Sequence, residues 1–207
     1  MKVLMLNGSP HKEGCTYTAL CEIGKALNDE GVDYEIVWLG NGPVADCIGC
    51  HGCRGTGKCV FTGDALDEIY PRLDEADGFV FGTPVYYAHP SGRVLSVLDR
   101  LFYSSGRSFA HKPGAAVASA RRAGTTASLD AMNKYFTIAQ MPVVSSTYWN
   151  MVHGNSPADV AQDIEGLRIM RNIGHNMAWL LKCIEAGKVS GIAVPEAERG
   201  PQTNFIR

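Results

Sequence analysis

The chain has 207 residues, 45% of them hydrophobic and 19% charged, with a formal net charge of −2. That is the size and balance of one globular α/β domain, and it excludes extended disorder and a global basic field for nucleic acid or an anionic membrane. No apolar run reaches the roughly 18 residues that span a bilayer, and the apolar run near the N-terminus is too short for a signal sequence, so a cytoplasmic protein is expected.

In chain order, Val3-Leu4-Met5-Leu6 reads as a strand buried on both faces. Residues 16–28 carry Leu20, Ile23, Gly24 and Leu27 at helical spacing, with Gly31 as the stop. Residues 34–39 read as a second strand. Residues 40–63 are rich in Gly and Cys and show no periodicity; a loop that long is usually functional. Asp64 is suited to cap a helix to about residue 75, with Leu66, Ile69, Tyr70 and Leu73 on one face and Pro71 kinking or breaking it. Residues 78–82 form a third strand, followed by the loop TPVYYAHPSG and a helix over about 93–103 with Val94, Val97, Leu98 and Leu101 inward. Residues 115–118 are a fourth strand, 125–137 a helix, and Met141 to Val144 the start of a fifth strand. One long helix over about 157–186 and a polar arm over about 187–207 complete the chain.

Strict alternation of short apolar strands and helices predicts a single domain built on a five-stranded parallel sheet with helices on both faces, in the flavodoxin-like order 2-1-3-4-5. Ligands of such sheets lie beyond the carboxyl ends of the strands, which directs attention to the loops after strands one, three and four.

The first of these, Asn7-Gly8-Ser9-Pro10-His11-Lys12-Glu13-Gly14-Cys15-Thr16-Tyr17-Thr18, runs into a helix N-terminus, where unpaired N–H groups and the helix dipole favour a phosphate. Ser9, Thr16 and Thr18 add hydroxyls, and His11 or Lys12 adds charge; the bland alternative is an ordinary turn capped by Thr16 or Cys15. The loop has neither Walker spacing nor a dinucleotide G-x-G-x-x-G turn, which suits a monoester such as that of FMN rather than FAD. Cys15, at a helix N-terminus, is expected to have a lowered thiol pKa and to lie beside the phosphate.

GSPHKEGCT after the first strand resembles the GSPR-type phosphate loop of the NADPH-dependent FMN reductase family, and GTPVYYAHPSG after the third strand resembles that family's second flavin loop. The resemblance runs from Met1 to about Ala186, with His11 standing where relatives usually carry Arg or Lys. It implies bound FMN, NAD(P)H as donor, and a homodimer or homotetramer whose sites a neighbouring subunit completes. It places Ser9, His11, Cys15, Thr16, Tyr17 and Thr18 around the phosphate. Thr83, Pro84, Val85, Tyr86, Tyr87 and Ala88 then run along the flavin ring, with backbone N–H groups donating to its edge and aromatic side chains over its face. The alternative role of Tyr86 and Tyr87 is to cap the core. In the third loop, Ser119, Arg121, Arg122 and Gly124 face the flavin or the NADPH phosphate, although one of the two arginines is better read as solvated. Thr147 to Gly154 either line the substrate space or form a subunit contact.

Seven cysteines are many for a reducing compartment, where structural disulfides are rare. Cys47, Cys50, Cys53 and Cys59 follow the spacing C-x2-C-x2-C-x5-C, able to wrap one compact centre, with neighbouring glycines aiming N–H groups at sulfur. The spacing is also similar to that of the iron–sulfur flavoproteins, a branch of the same family that holds a [4Fe–4S] cluster; zinc and no metal are the alternatives. Cys21 and Cys183 are read as packing residues. The expected activity is passage of electrons from NAD(P)H through FMN to a quinone, a nitro- or azo-aromatic, free flavin or the cysteine centre. The alternative is an electron carrier between protein partners. No catalytic acid or base is assigned, because the flavin carries the chemistry.

Overall fold

Strand β1 (Lys2–Asn7) is buried along almost its whole length, as a run without Pro or charge in its centre requires. A computed structural model describes residues 1–198, 200, 201 and 203 of the chain. β1 pairs in parallel with β2 (Asp33–Trp38) on one side and with β3 (Gly78–Tyr86) on the other. The short β4 (His89–Pro90) folds back antiparallel on β3, and β5 (Gly114–Ala120) and β6 (Met151–His153) extend the sheet. The sheet order is β2-β1-β3-β5-β6, the expected doubly wound arrangement of five parallel strands with one antiparallel stub added.

Period-two alternation splits the core into two layers. Leu4, Leu6, Phe79, Phe81 and Ala116 face helices α2 (Ala65–Leu73), α3 (Gly92–Ser105) and α4 (Thr125–Ile138). Val3, Met5, Val80, Ala115 and Val117 face α1 (Cys15–Asp29) and α6 (Ile164–Val189), with the single turn α5 (Pro157–Val160) ahead of α6. α1 and α6 pack closely because Gly174 removes a side chain at their crossing: a Cβ there would stand 2.6 Å from Ala26 Cβ and 2.7 Å from the Ile23 carbonyl oxygen.

Several expectations need correction. The edge strand does not run through Met141–Val144. Val143 makes a single bridge to Gly114, and pairing resumes only at Met151. Pro142 has no N–H to continue a ladder, and the following residues are drawn toward α6, where Ser146 Oγ donates to the Ile169 carbonyl and Asn176 Nδ2 to that of Ser145. The segment after strand three is not an open loop: β3 continues to Tyr86 and turns tightly at Tyr87 and Ala88, both with positive φ (49° and 64°), into β4. The long C-terminal helix is two, divided at residues 161–163, where Asp163 caps α6 through Gly166 N. Its 26 residues span about 39 Å. Leu181 is buried in this same chain and Leu180 packs against its core, so of the apolar trio near the helix end only Trp179 is exposed. Pro71 lies within α2 without ending it, and Asp64 Oδ1 caps that helix through Leu66 N as expected.

Residues 199, 202 and 204–207 of the expected arm lie outside the described residues. All seven cysteines are unpaired, and Cys183 is exposed rather than packed. No helix among the described residues is long and apolar enough to cross a membrane.

Candidate flavin and cysteine sites

Three strand-end loops are tied to one another at the carboxyl edge of the sheet. Gly8 N donates to the Gly82 carbonyl (2.9 Å), and Ser91 Oγ, which caps α3, donates to the Gly8 carbonyl (3.3 Å). These bonds join the first loop to the β3–β4 hairpin. The Thr16 and Ser119 hydroxyls, both buried, meet at 2.8 Å and join the first loop to the end of β5. Gly124, with φ of 91°, abuts the hairpin so closely that a Cβ would stand 2.5 Å from Ala88 Cα. Cys15 Sγ donates to the Gly154 carbonyl (3.7 Å), bringing in the end of β6.

The first loop is shaped from within. Asn7, fully buried, accepts from Ser9 N and donates to the Lys12 carbonyl, while Ser9 Oγ accepts from His11 N. Trp38 Nε1 on β2 donates to the Ser9 carbonyl at 2.8 Å. Gly14 caps α1 without a side-chain bond, and the first i→i−4 bond is made by Thr18 N to the Gly14 carbonyl at 3.0 Å. The N–H groups of Cys15, Thr16 and Tyr17 therefore precede the helical ladder and are the orphan donors of a helix start. Such an unpaired, dipole-backed set of amides matches the needs of a phosphate monoester.

The other expected residues fall into two groups. Thr16 and Ser119 bond each other, Thr18 Oγ1 donates to the Gly14 carbonyl, and Thr83 is fully buried and accepts from Ser91 N, so these hydroxyls serve the loops' architecture. The His11, Arg121 and Arg122 side chains are exposed, as are Tyr86, Tyr87 and Ala88, with Tyr87 at 99%. Pro84, Val85 and Tyr17 are half-buried between the groups. Burial pushes the Cys15 thiol up, outweighing its own backbone N–H, which acts in the lowering sense expected at a helix start; Asp159 adds a smaller upward push. His153 is held by its N–H to Asp163 and by a ring contact to the Arg122 carbonyl. Tyr148 and Trp149 form an exposed edge-to-face pair before β6.

On the β2 side, Cys47, Cys50, Cys53 and Cys59 all line one small pocket, with Arg100 of α3 at its wall. Arg100 is 1% exposed. Its Nε donates to Cys59 Sγ (3.3 Å), Nη2 to the Phe61 carbonyl (2.8 Å), and Nη1 to the Ala45 carbonyl (3.3 Å) and the Asp64 carboxylate. Burial opposes the charged guanidinium, but Asp64 and Cys59 keep it protonated, its pKa above the ordinary value. Cys59 is pinned from a second side, where its N–H donates to the Tyr70 hydroxyl (2.8 Å). Among the described residues no group of three or more His, Cys, Asp or Glu side chains is gathered tightly enough to hold a single metal ion. A zinc ion would need all its sulfurs about 2.3 Å from one centre; a cluster in which each cysteine takes its own iron would draw on the same four thiols that line this pocket.

Arg100, Asn7 and Trp38 shape the two candidate sites through their hydrogen bonds, and their residue types in sequence did not single them out. A cation three residues after inward-facing Val97, on the apolar arc of an amphipathic helix, was the available signal for Arg100.

The profile of the NADPH-dependent FMN reductase family matches residues 1–156. The chain belongs to this family. An iron–sulfur flavoprotein of Methanocaldococcus jannaschii is 33% identical over 193 residues, covering 89% of this chain and 100% of its own. RosB, solved with bound 8-demethyl-8-formylriboflavin-5'-phosphate, superposes with a TM-score of 0.69 at 14% identity, over 100% of this chain and 94% of its own. A flavodoxin from the domain Archaea does so at 0.59 and 16% identity, over 88% of this chain and 99% of its own. Membership makes the protein a flavodoxin-like oxidoreductase of the FMN-binding type.

Proposed function

We propose that the chain is an FMN-dependent NAD(P)H oxidoreductase that delivers electrons to a small acceptor or to an iron–sulfur centre on the cysteine loop. The observation that carries the reading is the mutual locking of three strand-end loops around a helix start with orphan amides. When bound, FMN supplies the hydride-accepting and electron-donating chemistry. The first turn of α1, with Ser9 and the His11–Lys12 side chains beside it, holds the phosphate. The rigid Tyr87–Ala88 turn, seated on Gly124, sets the ring's edge, and Arg121 and Arg122 offer positive charge to the flavin or to the nicotinamide dinucleotide. Seven unpaired thiols fit a reducing compartment, the cytoplasm.

For the cysteine loop, support comes from the four thiols lining one pocket and from the M. jannaschii relative's designation as an iron–sulfur flavoprotein. Cys50 is exposed, and an open groove lined by His51, Cys53 and Tyr103 adjoins the pocket. That groove favours a second reading, in which electrons leave on this face to a protein partner. Slow turnover with NAD(P)H and fast reduction by a ferredoxin-type donor distinguish the carrier from the enzyme.

Heating the purified protein should release FMN in about equal amount to protein, identified by chromatography; stoichiometric FAD would refute the phosphate assignment. Anaerobic reconstitution should load iron and acid-labile sulfide, and Cys50→Ala should lose the brown absorbance while keeping the yellow flavin. Iron and sulfide near zero in reconstituted wild type would remove the cluster and leave the flavoprotein.

A further inference from the structure

Arg100 stands where packing alone favours a hydrophobe. Burying a guanidinium costs desolvation that close pairing only offsets, yet this one is among the largest fully buried side chains in the molecule. Its hydrogen bonds converge on the cysteine loop and its flanks at Ala45, Cys59, Phe61 and Asp64. Two carbonyls and a carboxylate would suffice as a structural strap. The Nε–H aimed at a thiol sulfur is a different matter, because it points at a group whose electron density changes with redox state.

We propose that Arg100 is a positioning residue that sets the reduction potential of the iron–sulfur centre, through its Nε–H bond to Cys59 Sγ and its positive charge beside that sulfur. The inference rests on the iron–sulfur reading of the cysteine loop. One-electron reduction adds negative charge to the centre and its sulfurs. A hydrogen-bond donor and a buried cation stabilise that state more than the oxidised one and raise the potential. Asp64, the ion-pair partner of Arg100, acts in the opposite sense.

The two halves of one ion pair thus carry opposite signs, which a mere strap would not. Arg100→Gln should lower the midpoint potential. Asp64→Asn, whose side-chain oxygen still caps α2 through Leu66 N, should raise it, since the guanidinium is then uncompensated. Arg100→Lys, keeping charge without the Nε–H fork, should fall between wild type and Arg100→Gln. The experiment is an anaerobic potentiometric titration of the reconstituted full chain, with dithionite as reductant and the bound flavin as internal control. A tenfold shift in the reduction equilibrium, about 59 mV for one electron, is expected for Arg100→Gln, with the flavin potential unmoved.

Wild type that takes up no iron and sulfide overturns the centre and this proposal with it. Wild type that loads, with both variants shifting in the same direction or neither shifting, overturns the role of Arg100 alone. Should Arg100→Gln fail to hold the centre, Asp64→Asn still decides: an upward shift supports the proposal and a downward or null shift refutes it.

Discussion

The Thr16 hydroxyl lies 2.8 Å from that of Ser119, in a buried site, across 103 residues of sequence. One residue lies in the first turn of α1 and the other near the end of β5, so the bond fixes where the loop after β5 stands relative to the loop after β1. Thr16 thus serves the site through a neighbour. Thr16→Val and Ser119→Ala should each weaken FMN binding by about 1–2 kcal/mol, roughly 5–30-fold in Kd. The double variant should lose little more than either single one, since both remove the same bond. Flavin fluorescence titration of the apoprotein measures this, and multiplicative losses would mean that each hydroxyl reaches the cofactor separately.

Gly174→Ala should destabilise the fold although it improves helix propensity. The new methyl would fall 2.6 Å from Ala26 Cβ and 2.7 Å from the Ile23 carbonyl, forcing α1 and α6 apart. Overpacking costs about 1–3 kcal/mol and propensity returns up to about 1 kcal/mol, a net loss of up to about 2 kcal/mol. A lower urea midpoint with an unchanged slope is the expected result.

Much of this fold was legible because burial and period coincide. β1 is apolar on both faces, α1 keeps an unbroken stripe through Leu20, Ile23 and Leu27, and Asp64 announces its cap by side-chain type. The edge strand was not legible, because Met141 and Val144 are buried without making a ladder, while the true strand at Met151–His153 is only three residues long. Periodicity reports burial, and pairing follows only where the backbone is free to pair. The hairpin at Tyr87–Ala88 was hidden for another reason: such turns favour Asn and Gly, and neither is present. The first strand-end loop and the four clustered thiols stood out from spacing, whereas Arg100, a charge on an apolar arc, looked like an ordinary helix residue.

Acid should unfold the protein partly through Glu35. Lys2 Nζ at 2.8 Å and Arg72 Nε at 2.5 Å hold its carboxyl below the ordinary value, Lys2 contributing most. A lowered folded-state pKa means that the stabilisation is complete above the unfolded value, about 4.3, and is lost as pH falls through the folded one. Glu35→Gln should therefore be less stable than wild type at pH 7, and the gap should close below about pH 4. Urea midpoints at pH 7, 4 and 3 test the sign; a gap that widens in acid would contradict it.

Light scattering after size exclusion should give a mass of at least two chains at micromolar concentration. Trp179 on α6 is 66% exposed, and Tyr148 and Trp149 at the sheet edge are 54% and 57% exposed, large aromatic surfaces of the kind that interfaces cover. A mass of one chain would remove the shared site.

The contact between Arg100 and Cys59 spans 41 residues, and this fixes an order of events during synthesis. A ribosome emits the thiol-bearing loop first and reaches its anchor roughly 2–8 s later, at about 5–20 residues per second. Throughout that interval four neighbouring thiols hang on a nascent segment with nothing to space them, free to oxidise in pairs. Once α3 has docked, the four line one pocket with Arg100 at its wall. Oxygen arriving during translation would meet a loose tether, and after docking an anchored loop. Yield should therefore depend on keeping growing chains reduced.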